Sequence, residues 1–220
     1  MSASKNENWY GKLRVEPGWA HYRGPIGDSK RHAHYAVQLV FSSSAKILTA
    51  DDELWSVASN VRAIPSGVQH LVQATSEVSD LLFVEPKLFE GNKIPTIKTK
   101  KVVTVENIIA QLENRPLAKL PDRFAAIIAC PNGALPAGFS ARDAAASLGL
   151  SRSHFSHLFQ LEMGLPFRQW ILWTRLKQAV LMIMSGESHT YAAHAVGFSD
   201  SAHLARTMRR MFGISISALF

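Results

Sequence analysis

The feature that most constrains this chain is a near-repetition: GLSRSHFSHLFQLEMG at 149–164 returns as GFSDSAHLARTMRRMFG at 197–213. Ala145, Gly149 and Ser151 reappear as Ala193, Gly197 and Ser199, each 48 residues on, and the spacing grows to 49 at Gly164 and Gly213, so the second copy holds one inserted residue. A period of this size fits a duplicated helical hairpin. Each copy carries the same turn chemistry. A small alanine lets two helices approach, a glycine accepts the left-handed conformation that ends the first helix, and a serine caps the second. This is the chemistry of a helix-turn-helix.

Helical periodicity assigns faces to the two second helices. In the first copy Phe155, Leu158 and Phe159 are expected inside, leaving Arg152, Ser153, Ser156, His157 and Gln160 outside. In the second, Leu204, Met208, Met211 and Phe212 are expected inside, with Ser201, Ala202, Ala205, Arg206 and Arg209 outside. Outer faces with several donors and few acids suit the phosphate-lined major groove of double-stranded DNA. Between the copies, Phe167 to Met184 is apolar over most of its circumference. As a helix it spans about 27 Å, a length that can hold two recognition helices about one duplex turn, ~34 Å, apart.

The whole composition agrees with a folded DNA-binding protein. Hydrophobic residues make up 47% and charged residues 19%, while 24 Lys and Arg against 17 Asp and Glu give a net charge of +7. That balance favours a polyanionic partner. Apolar runs such as Leu181 to Met184 fall far short of the ~20 residues that cross a bilayer, so no membrane association is expected. MSASKNENWYGK at the start has neither an apolar core nor a cleavage site, and the single Cys130, expected to pack near a helix end, fits a reducing compartment; cytoplasmic residence is expected.

The two halves differ. Residues 9–90 read as short strands, with 36–41, 46–49 and 80–84 the clearest, punctuated by Gly24–Pro25, Gly27–Asp28 and Pro65–Ser66–Gly67. This predicts a small antiparallel sandwich or barrel. Lysine-rich 91–101 reads as a solvated connection, and Val105, Ile108, Ile109 and Leu112 line one face of an amphipathic helix capped by Thr104. That stripe is expected to pack on its own barrel or on a second copy, making a homodimer. From Asp122 onward the chain is helical, interrupted at Pro131–Asn132–Gly133, Pro136 and Gly138 before Ser140 and Asp143, which form a capping box. The expected class is α+β with two domains: residues 1–100 a small β-barrel or jelly roll, 101–121 a linker with its helix, and 122–220 an all-α domain with two helix-turn-helix motifs joined by a long helix.

Residues 122–220 resemble the DNA-binding domain of AraC/XylS-family transcription regulators. The resemblance is carried by Ala145–x3–Gly149–Leu–Ser151, Phe159 to Gly164, Arg175–Leu–x–x–Ala179, Ala193–His–Ala–Val–Gly–Phe–Ser–Asp200 and Arg209–Arg–Met–Phe–Gly213; Ile216 and Phe220 depart from the pattern. It implies base contacts by Ser153, Ser156 and His157 from the first helix and by Ser201, Ala202 and Arg206 from the second. Arg206 is the strongest reader, because arginine pairs bidentately with guanine. Arg152 and Arg209 are expected to contact phosphates. An activator of this kind would also touch RNA polymerase.

In the first half, His32–Ala–His34 followed by Gln38, then Pro65–Ser–Gly67–Val–Gln–His70, resembles the two motifs of a cupin. Alternation along a strand would put His32, His34 and Gln38 on one face. Three imidazoles suit Zn, Fe, Ni or Mn, although Gln38 stands where metal-binding cupins carry Glu. The other readings are a polar pocket for a small organic effector, and a structural histidine cluster. Two functions remain open: a regulator in which the first domain senses a small ligand and the second binds promoter DNA, which is not an enzyme, and a metal-dependent cupin enzyme with an appended helical module.

Overall fold

The computed structural model describes residues 9–49, 56–58, 61–86, 103–114, 122–128, 135–136 and 138–218. Cys130, the connection at 91–101, the turn at 131–133 and Phe220 lie outside the described residues. The chain divides into two compact units, one from Met1–Ala118 with Met208–Phe220 and one from Lys119–Thr207.

The first unit is built on eight strands: β1 (Lys12–Glu16), β2 (Trp19–Ile26), β3 (Val37–Phe41), β4 (Ile47–Thr49), β5 (Ser56–Ala58), β6 (Val61–Ile64), β7 (His70–Val72) and β8 (Thr75–Val84). They form a six-stranded sheet in the order β1-β2-β8-β3-β6-β5 and a two-stranded sheet of β4 and β7, with all pairs antiparallel. Among the described residues the ladders do not close into a ring. The register pairs Leu39 with both Leu82 and Ala63, and Trp19 with Val84. Pleating therefore gathers Trp19, Leu39, Phe41, Val61, Leu82 and Val84 on one face.

That face is covered by α1 (Val105–Glu113). Thr104 caps the helix by accepting from the Asn107 amide, and Val105, Ile108 and Leu112 pack into the cluster formed by the sheet residues, with Ile109 at its margin. Of its two expected partners, the stripe meets its own sheet.

Gly24 and Pro25, expected to break a strand, lie inside β2. A Cβ on Gly24 would stand 2.5 Å from the Gly11 Cα, so the absent side chain lets two backbones touch, and the ladder shifts register between Pro25 and Ile26. The expected turn at 65–67 is present, with the Val68 amide donating to the Pro65 carbonyl.

The second unit contains α2 (Asp122–Ile128), α3 (Ala141–Ser147), α4 (Arg152–Met163), α5 (Phe167–Met184), α6 (His189–Ala195) and the first part of α7 (Ser201–Phe212). Phe124, Phe155 and Phe159 are fully buried and join Phe167 and Trp170 in one aromatic cluster. Phe155 and Phe159 meet Phe167 edge to face at 4.9 and 4.8 Å, pairs worth about 0.5–1.5 kcal/mol each beyond area burial. α5 occupies the eighteen residues expected of it and buries Phe167, Trp170, Ile171, Trp173, Leu176, Ala179, Val180 and Ile183, leaving Leu181 and Met184 exposed.

Candidate functional site

The two copies share a serine cap on the first helix and the same pair of turn bonds. Ser140 caps α3 in a complete capping box with Asp143, and Ser188 caps α6 by accepting from the Tyr191 amide. At the end of α3 the Gly149 amide donates to Ala146 and the Leu150 amide to Ala145, at 3.1 and 2.9 Å. At the end of α6 the Gly197 amide donates to His194 and the Phe198 amide to Ala193, at 3.0 and 2.9 Å. Both glycines are left-handed, with φ of +64° and +87°, which only glycine adopts without strain. Ala144, Ala145, Ala192 and Ala193 are all buried, as the close approach of the paired helices requires.

The copies part at the start of the recognition helix. Ser151 caps α4, accepting from the His154 amide. In the second copy the expected cap Ser199 is replaced by Asp200, whose carboxylate accepts from the His203 amide at 2.6 Å, while the Ser199 hydroxyl donates to that carboxylate at 2.9 Å. A carboxylate is the stronger acceptor and suits the positive end of a helix. The His203 amide, then the Ser199 hydroxyl, holds the Asp200 carboxyl below the usual carboxylate range. The inserted residue therefore sits at 199–200, and α4 and α7 correspond along their whole length at a spacing of 49, from Arg152 and Ser201 to Gly164 and Gly213.

The faces follow from that correspondence. α4 buries Phe155, Phe159 and Met163; α7 buries Leu204, Thr207 and Met208. Leu158, Met211 and Phe212, expected inside, are only half-buried, because each lies at the edge of its stripe rather than at its centre. Arg152, Ser153, His157 and Gln160 are exposed on α4 and Ser156 is half-buried; Ala202, Arg206 and Arg209 are exposed on α7 and Ser201 is half-buried. Arg210 adds a third exposed guanidinium to α7, which contains no acidic residue. The one acid of α4, Glu162, pairs with Arg123 at 3.3 Å.

Arg175 has a task that its place in the sequence did not reveal. From α5 its guanidinium donates to the carbonyls of Gly197 and Pro136, at 3.3 and 3.4 Å. A long-lever cation thus braces the second turn from the central helix. Burial lowers its pKa from the ordinary value.

In the first unit the structure brings His32, His34, Gln38 and His70 together, although not by strand alternation. Residues 31–36 form no strand; His32 makes a single bridge to His70, with 2.9 Å bonds in both directions, and Gln38 enters from β3. All four are buried. Their three rings lie 4.2–5.5 Å apart between centroids. Burial, then the neighbouring His70, depresses His32 to about 3 and His34 to about 4, and burial lowers His70 as well. The three rings are neutral at physiological pH. No described helix is long and apolar enough to cross a membrane.

The duplicated turns, the paired second helices and the separate β-rich unit define a two-part protein: a β-rich part and a double helix-turn-helix part. Residues 144–220 match the family model described as a helix-turn-helix domain. An apo variant of ToxT from Vibrio cholerae strain SCE256 is similar over 93% of this chain and 97% of its own, at 11% identity and a TM-score of 0.55. ToxT from Vibrio cholerae O395, bound to (E)-4-(8-methylnaphthalen-1-yl)but-3-enoic acid, is similar over 91% and 97%, at 10% identity and a TM-score of 0.52. An AraC-type transcriptional regulator from Chromobacterium violaceum is similar over 35% of this chain and 70% of its own, at 29% identity and a TM-score of 0.33. No curated protein sequence matches. The ToxT fold spans both parts of this chain, a β-rich part followed by the helical domain.

Proposed function

We propose that this chain binds promoter DNA through α4 and α7 in two successive major-groove segments, and that a small ligand taken up by the β-rich unit controls the binding. The observation that carries the reading is the duplication itself: two helices of equal length, launched from matching turns, both with exposed donors. One polypeptide carrying both helices needs no second copy to fill two grooves. Ser153, Ser156 and His157 read bases from α4, and Ser201, Ala202 and Arg206 from α7. Arg206 dominates, since a bidentate guanine pair discriminates by about 1–3 kcal/mol. Arg152, Gln160 and Arg209 track the phosphates.

Ligand control is supported by the ToxT fold, which in one structure holds a naphthyl-butenoic acid. The protein then works in the cytoplasm, where DNA is accessible, and contacts RNA polymerase when its site activates. The test is selection of bound fragments from a genomic pool by the purified chain, with Arg206→Ala alongside. An enriched motif of two boxes, one of them degraded by the substitution, is the expected result. Uniform, salt-sensitive binding without enrichment would refute sequence-specific reading.

A further inference from the structure

Arg175 stands near the middle of α5, between the parts of that helix that hold the two motifs. The start of α5 carries the first motif, where Phe167 and Trp170 pack on Phe155 and Phe159 of α4. The first helix of the second motif, α6, also packs on α5. From between them the Arg175 guanidinium reaches both ways. Its Nη1 donates to the carbonyl of Gly197, in the second turn, and its Nη2 to the carbonyl of Pro136, in the stretch that leads into α3. One rigid plane therefore ties the second motif to the entrance of the first, and neither carbonyl can draw away without losing its bond.

The second turn does not need this cation in order to form. The first turn makes the same pair of backbone bonds without one: a Cβ on Gly149 meets nothing within 4 Å, whereas a Cβ on Gly197 would lie 3.1 Å from Cζ of Arg175. The guanidinium thus lies flat against a glycine, at a place where any side chain would press on it. Stability alone does not select such a group either. Its Nε is buried and meets no acceptor among the described residues, and a buried donor without a partner works against the fold. What Arg175 adds, and the repeated turn chemistry does not, is a link between the motifs.

A link of this kind has a consequence on DNA. Each base pair added between two boxes moves the second by about 3.4 Å along the duplex axis and turns it by about 35°. Two motifs joined through α5 alone follow such a shift by bending at their packing surfaces. Two motifs that share one guanidinium must break its bonds to do so.

We infer that Arg175 is a positioning residue that fixes the separation of α4 and α7, and thereby the spacing of the two DNA boxes that the chain accepts. It acts through the Gly197 and Pro136 carbonyls and not by touching DNA. The inference rests on the two-groove reading proposed above and adds to it a rule for which sites are bound.

The experiment uses the full chain and duplexes carrying both selected boxes, at the selected separation or with one or two base pairs inserted or deleted between them. Affinity is read by fluorescence anisotropy at constant salt. The parent chain should prefer its best separation over the neighbouring ones by about tenfold or more, the worth of a charge-assisted hydrogen bond. Arg175→Lys keeps the charge but replaces the planar fork by a single ammonium, and Arg175→Met removes both bonds; in each the preference should fall close to one. A smaller folded fraction lowers affinity at every separation alike and leaves that ratio unchanged. A ratio as high as the parent's in either folded variant overturns the inference, as does a parent chain that accepts all separations equally. Failure of the parent to select any two-box site overturns the two-groove reading, and this inference with it. Urea unfolding shows whether each variant folds; if Arg175→Met does not, Arg175→Lys decides, and if neither folds the residue serves stability alone and the inference is overturned.

Discussion

Gly149 and Gly197 occupy the same position in the two turns, yet alanine there will cost different amounts. Both have positive φ, so either substitution places a Cβ in the left-handed region, at about 1 kcal/mol. At Gly149 the new methyl meets nothing within 4 Å. At Gly197 it would lie 3.1–3.3 Å from three guanidinium atoms of Arg175. The guanidinium must move by a few tenths of an ångström, and its bonds to the Gly197 and Pro136 carbonyls are already long, at 3.3 and 3.4 Å. Weakening charge-assisted bonds of this kind adds roughly 1 kcal/mol. Gly149→Ala should therefore destabilise by about 1 kcal/mol and Gly197→Ala by about 2 kcal/mol. Urea unfolding followed by helical circular dichroism measures both. In an Arg175→Ala background the excess at Gly197 should vanish, leaving the two costs equal. Equal costs in the parent chain, or an excess that survives removal of Arg175, would refute this account of the second turn.

Three further perturbations follow from the same structure. Asp200→Ala removes the α7 cap and should cost about 1 kcal/mol, whereas Ser199→Ala should cost less; a larger loss at Ser199 in urea unfolding would reverse the assignment of the cap. Phe159→Ala opens the aromatic cluster and should cost about 3–5 kcal/mol, and a loss below ~1 kcal/mol by the same assay would show that the cluster is not packed as described. Acid should destabilise the chain: burial holds His32 and His34 at about 3 and about 4 when folded, against near 6.5 when unfolded. As the pH falls below about 6.5 the unfolded chain takes up protons that the folded one refuses, so stability drops by up to about 1.4 kcal/mol per unit for each ring. The decline ends as each folded ring protonates, at about 4 and then about 3. A His34→Gln chain with an unchanged slope between pH 6 and 5 would contradict this.

What could be read from the sequence was set by local chemistry. The bounds of α5, the capping box at Ser140 and Asp143, the Thr104 cap and the two turn glycines each depend on residues a few positions apart, and each stands where the sequence places it. The start of α7 was harder, because Ser199 and Asp200 are both good caps and a one-residue insertion makes either fit; the hydroxyl and the carboxylate settle it between them, the first donating to the second. Long-range packing was out of reach. Gly24 and Pro25 carry turn chemistry, and only the approach of Gly11 explains their place within a strand. The stripe of α1 is equally apolar whether it meets its own sheet or another chain. His32, His34, Gln38 and His70 lie together, though not by the strand alternation expected of them: a single bridge joins His32 to His70, and Gln38 enters from β3. Arg175 stood out only as part of the resemblance, and its bracing role was hidden because its partners are 22 and 39 residues away.

The central claim is that one chain reads two groove segments with α4 and α7. Hydroxyl-radical footprinting on a selected fragment tests it most directly, comparing the parent chain with Arg206→Ala. The account predicts two protected segments centred about 10.5 base pairs apart on one face of the duplex, with protection reduced at one segment and kept at the other in the variant. A single protected segment, or equal loss at both in the variant, would contradict it.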